Sequence, residues 1–217
     1  MSPVEYRTIL RSRLTIPLFP IDEACPVCRK ACLDTFGEHA VHCKEFPSFK
    51  YIHDFVRDVL FDIFRRVGIS VKKEAPVNFL IDPLDKRSTL KPADVMVYKW
   101  VGGKHACVDL TGVSPLVGLG IRPFTVGHAA LKVASSKVAK HEKACSDNEH
   151  AFISFAFDTF GFLAPEVVDL LHRVQKVMHD NVMSPRSMNI VFTRIGFAIQ
   201  KTWRHSLLSA CLLFKCK

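Results

Sequence analysis

Between residues 50 and 67, Ile52, Phe55, Val59, Ile63 and Val67 recur at three- and four-residue steps, while Arg57, Asp58, Asp62 and Arg65 fall largely off that stripe. The period predicts an amphipathic helix, and Gly68 is placed to end it. Beyond it the pattern turns to alternation. Ile69 to Glu74 predicts a short strand stopped by Pro76, Ala93 to Tyr98 a second, and His105 to Leu110 a third. Gly102-Gly103 joins the last two as a hairpin, and polar, turn-forming residues around 82–90 predict a loop. A second long helix is expected over 124–145, with Val126, Ala129, Ala130, Val133, Ala134, Val138 and Ala139 as a small-residue face. Phe152 to Phe157 predicts a fourth strand. Pro165 marks a helix start, followed by Val167, Val168, Leu170, Leu171, Val174 and Val177 at helical spacing.

The order is therefore helix, three strands, helix, strand, then helices, which predicts an α/β architecture with a mixed sheet. Three parts are expected: an N-terminal segment over 1–48, a core over 49–162, and a helical extension with a divergent tail over 163–217. Pro17 and Pro20 argue against any long element in residues 1–24. A chain of 217 residues can bury a full core without staples. No run of about 18 apolar residues occurs, so no membrane span is expected.

Charge and cysteine usage narrow the function. The 30 Lys+Arg against 21 Asp+Glu give a net charge of +9, which points to a polyanionic partner, nucleic acid before membrane. The N-terminus lacks the apolar core and cleavage site of a secretory signal, so the protein is expected not to be secreted and its cysteines to be reduced. Four of the eight Cys fall within 25–43, together with His39 and His42. Cys25-Pro26-Val27-Cys28 is followed after ten residues by His39 and after three more by Cys43. Thiolates at a two-residue gap reach one ion, and with an imidazole they suit tetrahedral Zn²⁺. Gly37 permits the turn that returns the second ligand pair, and Cys32 or His42 could stand in for one member. Cys107, Cys145, Cys211 and Cys216 read as core or incidental residues.

Two carboxylates stand out in apolar surroundings. If the hairpin strands pair across Gly102-Gly103, Asp94 and Asp109 lie toward the same end. Such a pair is costly unless it shares a cation or is hydrogen-bonded, and hard oxygen ligands suit Mg²⁺. That ion could activate water against a phosphodiester. Glu74 is a candidate third carboxylate, and Lys137, on one helix face with Lys140, a candidate to offset charge on a pentacoordinate phosphate. Each has a plainer reading: Asp94 and Asp109 as turn or strand-end hydrogen-bonding residues, Glu74 beside Lys72 and Lys73 as a solvated charge, Lys137 as a solvated helix lysine.

The string from Cys25 through Asp34-Thr35-Phe36-Gly37-Glu38-His39-Ala40-Val41-His42-Cys43 resembles the Cys/His knuckle in C-terminal regions of retroelement polyproteins. Lys91-Pro92-Ala93-Asp94-Val95, then Val108-Asp109-Leu110-Thr111 with Ser114-Pro115-Leu116, is similar to the signature of restriction-like endonuclease domains of non-LTR retrotransposons. Those domains belong to the PD-(D/E)XK nuclease superfamily, whose core has the same element order. The resemblance covers about residues 5–200. It implies a restriction-endonuclease-like core with an N-terminal zinc knuckle, and Mg²⁺-dependent nicking of target DNA with Asp94 and Asp109 as the motif's two acids. It further implies DNA as partner, element RNA as a second candidate, a nuclear site of action, and origin as a fragment of a plant retroelement frame. Thr111 stands where the motif's lysine is expected, and some members supply that lysine from the following helix, which makes Lys137 or Lys140 its replacement. No Tyr-x-Asp-Asp sequence occurs, and the tail from Arg204 to Lys217 departs from the family pattern. The alternative expectation is a catalytically inactive zinc-containing module that binds nucleic acid.

Overall fold

The structure, a computed structural model, describes residues 3–19, 23–25, 27–33, 35–37, 39, 43, 45, 47–77, 92–116, 125–182 and 189–213. The expected loop over 82–90, with Lys91, His42 and Cys216, lies outside the described residues.

Four strands, β3 (Val71–Pro76), β4 (Pro92–Val101), β5 (Lys104–Val113) and β6 (His150–Asp158), form one sheet in sequence order. The first three run antiparallel and β6 runs parallel to β5, so the sheet is mixed. The parallel step needs a crossover, supplied by helix α3 (His128–Asp147), while α2 (Pro47–Arg66) precedes the sheet. Helices α4 (Pro165–Val182) and α5 (Ile190–Leu213) follow it. Near the N-terminus, α1 (Pro3–Arg13) leads into a small antiparallel pair, β1 (Glu23–Ala24) and β2 (Cys32–Leu33).

Strand alternation sorts the sheet into two faces. Val95, Val97, Ala106, Val108 and Leu110 join Ile52, Val56, Leu60, Ile63 and Phe64 of α2, together with residues of α4 and α5, in the main core. Met96 and Cys107 join Cys145 of α3 in a smaller cluster. The helices are therefore layered on both faces of the sheet, which buries the strands and leaves β4 and β5 apolar along most of their length.

Several expectations shift in detail. The buried stripe of α2 runs through Val56, Leu60 and Phe64 rather than Phe55 and Val59, which are only partly buried. Pro76 closes β3 as its last paired residue, opposite Pro92, instead of stopping it early. The expected small-residue face of α3 is narrower, with Ala130 and Ala134 buried but Val126 exposed. Residues 3–13 form a helix that the prolines do not prevent, because Pro17 lies beyond its end. Its buried positions are Thr8 and Ser12, so it shows no apolar stripe. It is anchored from outside: the Arg13 guanidinium lies 4.7 Å from the Phe160 ring centroid and 4.4 Å from that of Trp203, and donates to Gln200 Oε1. The divergent tail continues α5 as far as Leu213, and Leu207, Ala210 and Cys211 are buried there.

Glycines set the critical turns. Gly102 and Gly103, at φ 59° and 79°, make the two-residue turn between Val101 and Lys104. An irregularity between Val97 and Val101, where Lys99 takes φ 51°, shifts the β4–β5 register beyond it. Gly127, at φ 74°, starts α3, and a Cβ there would stand 2.4 Å from Cζ of Phe162. Gly127→Ala therefore combines a left-handed backbone cost of about 1–3 kcal/mol with a ring clash. We expect a lower urea midpoint at unchanged slope; an unchanged midpoint would mean that α3 starts elsewhere.

Candidate functional site

Two constellations gather chemistry-bearing side chains. The first sits at the β1–β2 hairpin. The Cys25 N–H donates to Ala31 O at 2.8 Å and the Arg29 N–H to Cys25 O at 2.8 Å, with Arg29 at φ 53°, so the chain curls back between Cys25 and Cys28. Cys25, Cys28, His39 and Cys43 each bring one ligand atom within 4.8 Å of the others, and Cys28 Sγ lies 3.3 Å from His39 Nε2. Among the described residues no other set of three or more His, Cys, Asp or Glu converges this way. The Lys30 N–H donates to Cys28 Sγ at 3.5 Å. That bond is the largest influence bringing the Cys28 thiol down to about 6, toward the thiolate a metal needs. Burial pushes the Cys43 thiol up, so a cation is needed to ionise it at neutral pH. Three sulfurs and one imidazole, closed and partly buried, could bind a metal and suit a tetrahedral structural site consistent with zinc. Gly37 adopts φ +75° as the turn requires, with a Cβ position 2.7 Å from Phe19 Cε2. Cys32 pairs opposite Ala24 in β2.

The second constellation lies at one end of the main sheet. Val95 pairs with Val108, so the next positions along the antiparallel ladder, Asp94 and Asp109, face each other across β4 and β5. The register shift between Val97 and Val101, added to the hairpin turn, thus sets the two acids side by side. Asp94 Oδ2 accepts the Leu110 N–H at 2.6 Å and lies 3.2 Å from His53 Nε2. His53, on α2, is held above the usual imidazole range chiefly by its hydrogen bond to Asp94, with Asp54 adding a smaller effect and burial opposing both. Lys137, on α3, brings its Nζ to 2.8 Å from Asp109 Oδ2, an ion-pair distance. The pair is off hydrogen-bonding geometry, and Asp109 Oδ2 has no hydrogen-bond partner among the described residues.

Glu74 sits between the pairs Lys73↔Val95 and Ala75↔Ala93, hence opposite Asp94, yet its carboxylate turns to Arg57 Nη1 at 2.5 Å and its side chain is 62% exposed. Its φ of 47° interrupts the strand's alternation. Arg57 also meets Asp54 at 3.1 Å and Asp58 at 3.4 Å, so it neutralises the acidic rim beside Asp94. The three carboxylates Glu74, Asp94 and Asp109 do not form a converging ligand set. Lys140 is exposed on α3.

Sequence reasoning missed His53 and Arg57. His53 follows Ile52 on α2, one position off the buried stripe, and Arg57 is a largely buried charge next to Val56. The available signal was a His and an Arg four residues apart on the edge of an amphipathic helix, which acquires meaning only once α2 is packed against β4. The site lies on the two central strands and is only partly open, with the Asp94, Asp109 and Lys137 side chains 19%, 27% and 34% exposed. Two cavities of the molecule lie elsewhere, one of about 520 Å³ against Lys143, Asp147 and His150, the other of about 490 Å³ against Ser70, Lys99 and Trp100. No helix among the described residues is long and apolar enough to cross a membrane. No family model matches the chain, and no curated protein matches it.

Proposed function

We propose that this protein is a retroelement-derived, metal-dependent DNA endonuclease that nicks target DNA by hydrolysing a phosphodiester bond. The observation that carries the reading is the meeting of Asp94 and Asp109, on the two central strands, with Lys137 of the crossover helix, all three partly exposed. Its restriction-like ancestry is supported by the order helix, three strands, helix, strand with β6 parallel to β5. The partial exposure of these side chains leaves them reachable by a backbone phosphate, and the +9 charge favours a polyanion.

Asp94 and Asp109 would hold Mg²⁺, which when bound supplies an activated water and offsets charge on the departing oxygen. The Leu110 N–H and His53 fix the Asp94 carboxylate. Lys137 neutralises Asp109 and stands ready to offset charge on the phosphoryl oxygens, the role of the lysine that Thr111 cannot fill. The Cys25–Cys28–His39–Cys43 site would hold structural zinc and help to grip DNA, with element RNA as a second ligand. Action on chromosomal DNA would place the protein in the nucleus. A non-catalytic nucleic-acid-binding module is the second reading, favoured by Thr111 and by Glu74 being drawn to Arg57.

A plasmid-nicking assay at low salt, with Mg²⁺, Mn²⁺ or EDTA, tests the proposal beside Asp94→Asn. That substitution keeps an oxygen acceptor for the Leu110 N–H while removing the charge, so folding and DNA binding are expected to persist and nicking to disappear. Nicking that survives in the variant, or that ignores EDTA, would overturn the assignment. Salt-sensitive gel shifts with intact plasmid would favour the second reading.

A further inference from the structure

Two buried side-chain atoms lack hydrogen-bond partners among the described residues: Asp109 Oδ2 and Ser154 Oγ. They come from different strands, yet β5 and β6 pair in parallel with Asp109 directly in register with Ser154. Register partners in a parallel sheet point to the same face. That face is the one α3 covers, because Cys107 and Phe152, two residues earlier on each strand, pack with Cys145 of α3. Ser154 is fully buried, and a hydroxyl left unsatisfied there costs free energy that alanine would avoid. Buried orphan groups call for an explanation. Here the two orphans are neighbours, and Lys137 Nζ stands 2.8 Å from one of them.

We infer that Ser154 is a positioning residue of the two-aspartate site, holding with Lys137 one buried water that donates to Asp109 Oδ2. Such a water has three polar partners, a hydroxyl, an ammonium and a carboxylate oxygen, which is the number a buried water usually takes. With Oδ2 tied down inside, the exposed part of the Asp109 side chain is the remainder, and the carboxylate's rotation is fixed for a divalent cation shared with Asp94. The inference rests on the proposed cation site and gives that site a third strand.

The test follows Mn²⁺ binding by paramagnetic broadening of backbone amides in ¹H–¹⁵N spectra of the full chain, with plasmid nicking and thermal midpoint alongside. In the wild-type protein, broadening centred on Asp109 and Leu110 is expected. Ser154→Ala should raise the Mn²⁺ concentration for half-broadening about tenfold, the range seen when a group orienting a ligand is removed. Its thermal midpoint should stay level or rise, and Ser154→Thr, which keeps the hydroxyl, should stay near wild type in affinity. If wild type binds Mn²⁺ and nicks while Ser154→Ala matches it in both, Ser154 is a structural residue and the inference is overturned alone. If wild type neither broadens at Asp109 nor nicks, the cation-site reading falls and takes the inference with it.

Discussion

The purified protein is expected to carry one zinc ion per chain, and Cys25→Ser or Cys43→Ser to lose it together with the β1–β2 hairpin. Apparent binding energies of structural zinc in small domains are about 10–16 kcal/mol near neutral pH, of the same size as a whole domain's stability. In this chain the short β1–β2 pair, two residues a side, cannot hold the segment by itself. Leu18, Phe19, Cys25 and Cys43 are all part of the main core, so loosening this segment also uncovers apolar surface beside α2. We therefore expect both variants, and EDTA-treated wild type, to melt about 10 °C or more below the zinc-loaded protein, equivalent to several kcal/mol for a domain of this size. Metal content by plasma emission and the calorimetric midpoint check this. A chain refolded with zinc that binds none, or whose midpoint ignores chelation, would show that the four residues do not form a metal site.

Phe64→Ala is the second large effect. Phe64 has no exposed surface, stands edge-on to Trp100 with ring centroids 6.1 Å apart at 82°, and belongs to the cluster that joins α2 to β4 and β5. Truncating a buried phenylalanine costs about 3–5 kcal/mol, because the transfer energy is lost and the cavity closes only partly. The loss should appear in urea unfolding as a lower midpoint, and Asp94→Asn should show no comparable drop. A cost below about 1 kcal/mol would mean that α2 does not pack on the sheet as described, and with it the contact from His53 to Asp94.

Local chemistry made much of this protein legible. The CxxC step and the His39–Cys43 pair lie close enough along the chain to need only a turn, and Gly37 supplies it at φ +75°. The Gly102-Gly103 turn predicts the hairpin and that Asp94 and Asp109 lie toward the same end. Their direct pairing needs the register shift between Val97 and Val101, because the turn's own register, Val101↔Lys104, would set Asp94 opposite Thr111. Periodicity was equally informative where a face was strongly apolar, as in α2 and α4. It failed for α1, whose buried positions are Thr8 and Ser12 and whose anchor is a cation held between aromatic rings from distant elements. It also gave no sign of the Glu74–Arg57 pair, because the guanidinium comes from α2 and alternation along β3 carries no information about it.

By itself, then, the amino-acid sequence determined the features whose partners are near along the chain: the order of helices and strands, the two-residue hairpin turn, and the clustering of Cys25, Cys28, His39 and Cys43. Only the tertiary structure decided which distant side chains complete the two-aspartate site. Lys137 reaches Asp109 because α3 crosses over to set β6 parallel to β5, and that same register puts Ser154 beside Asp109. His53 meets Asp94 because the apolar stripe of α2 docks on the sheet at one particular rotation. Local spacing cannot encode these meetings, since the burial energy that fixes a crossover or a helix rotation is summed over the whole core.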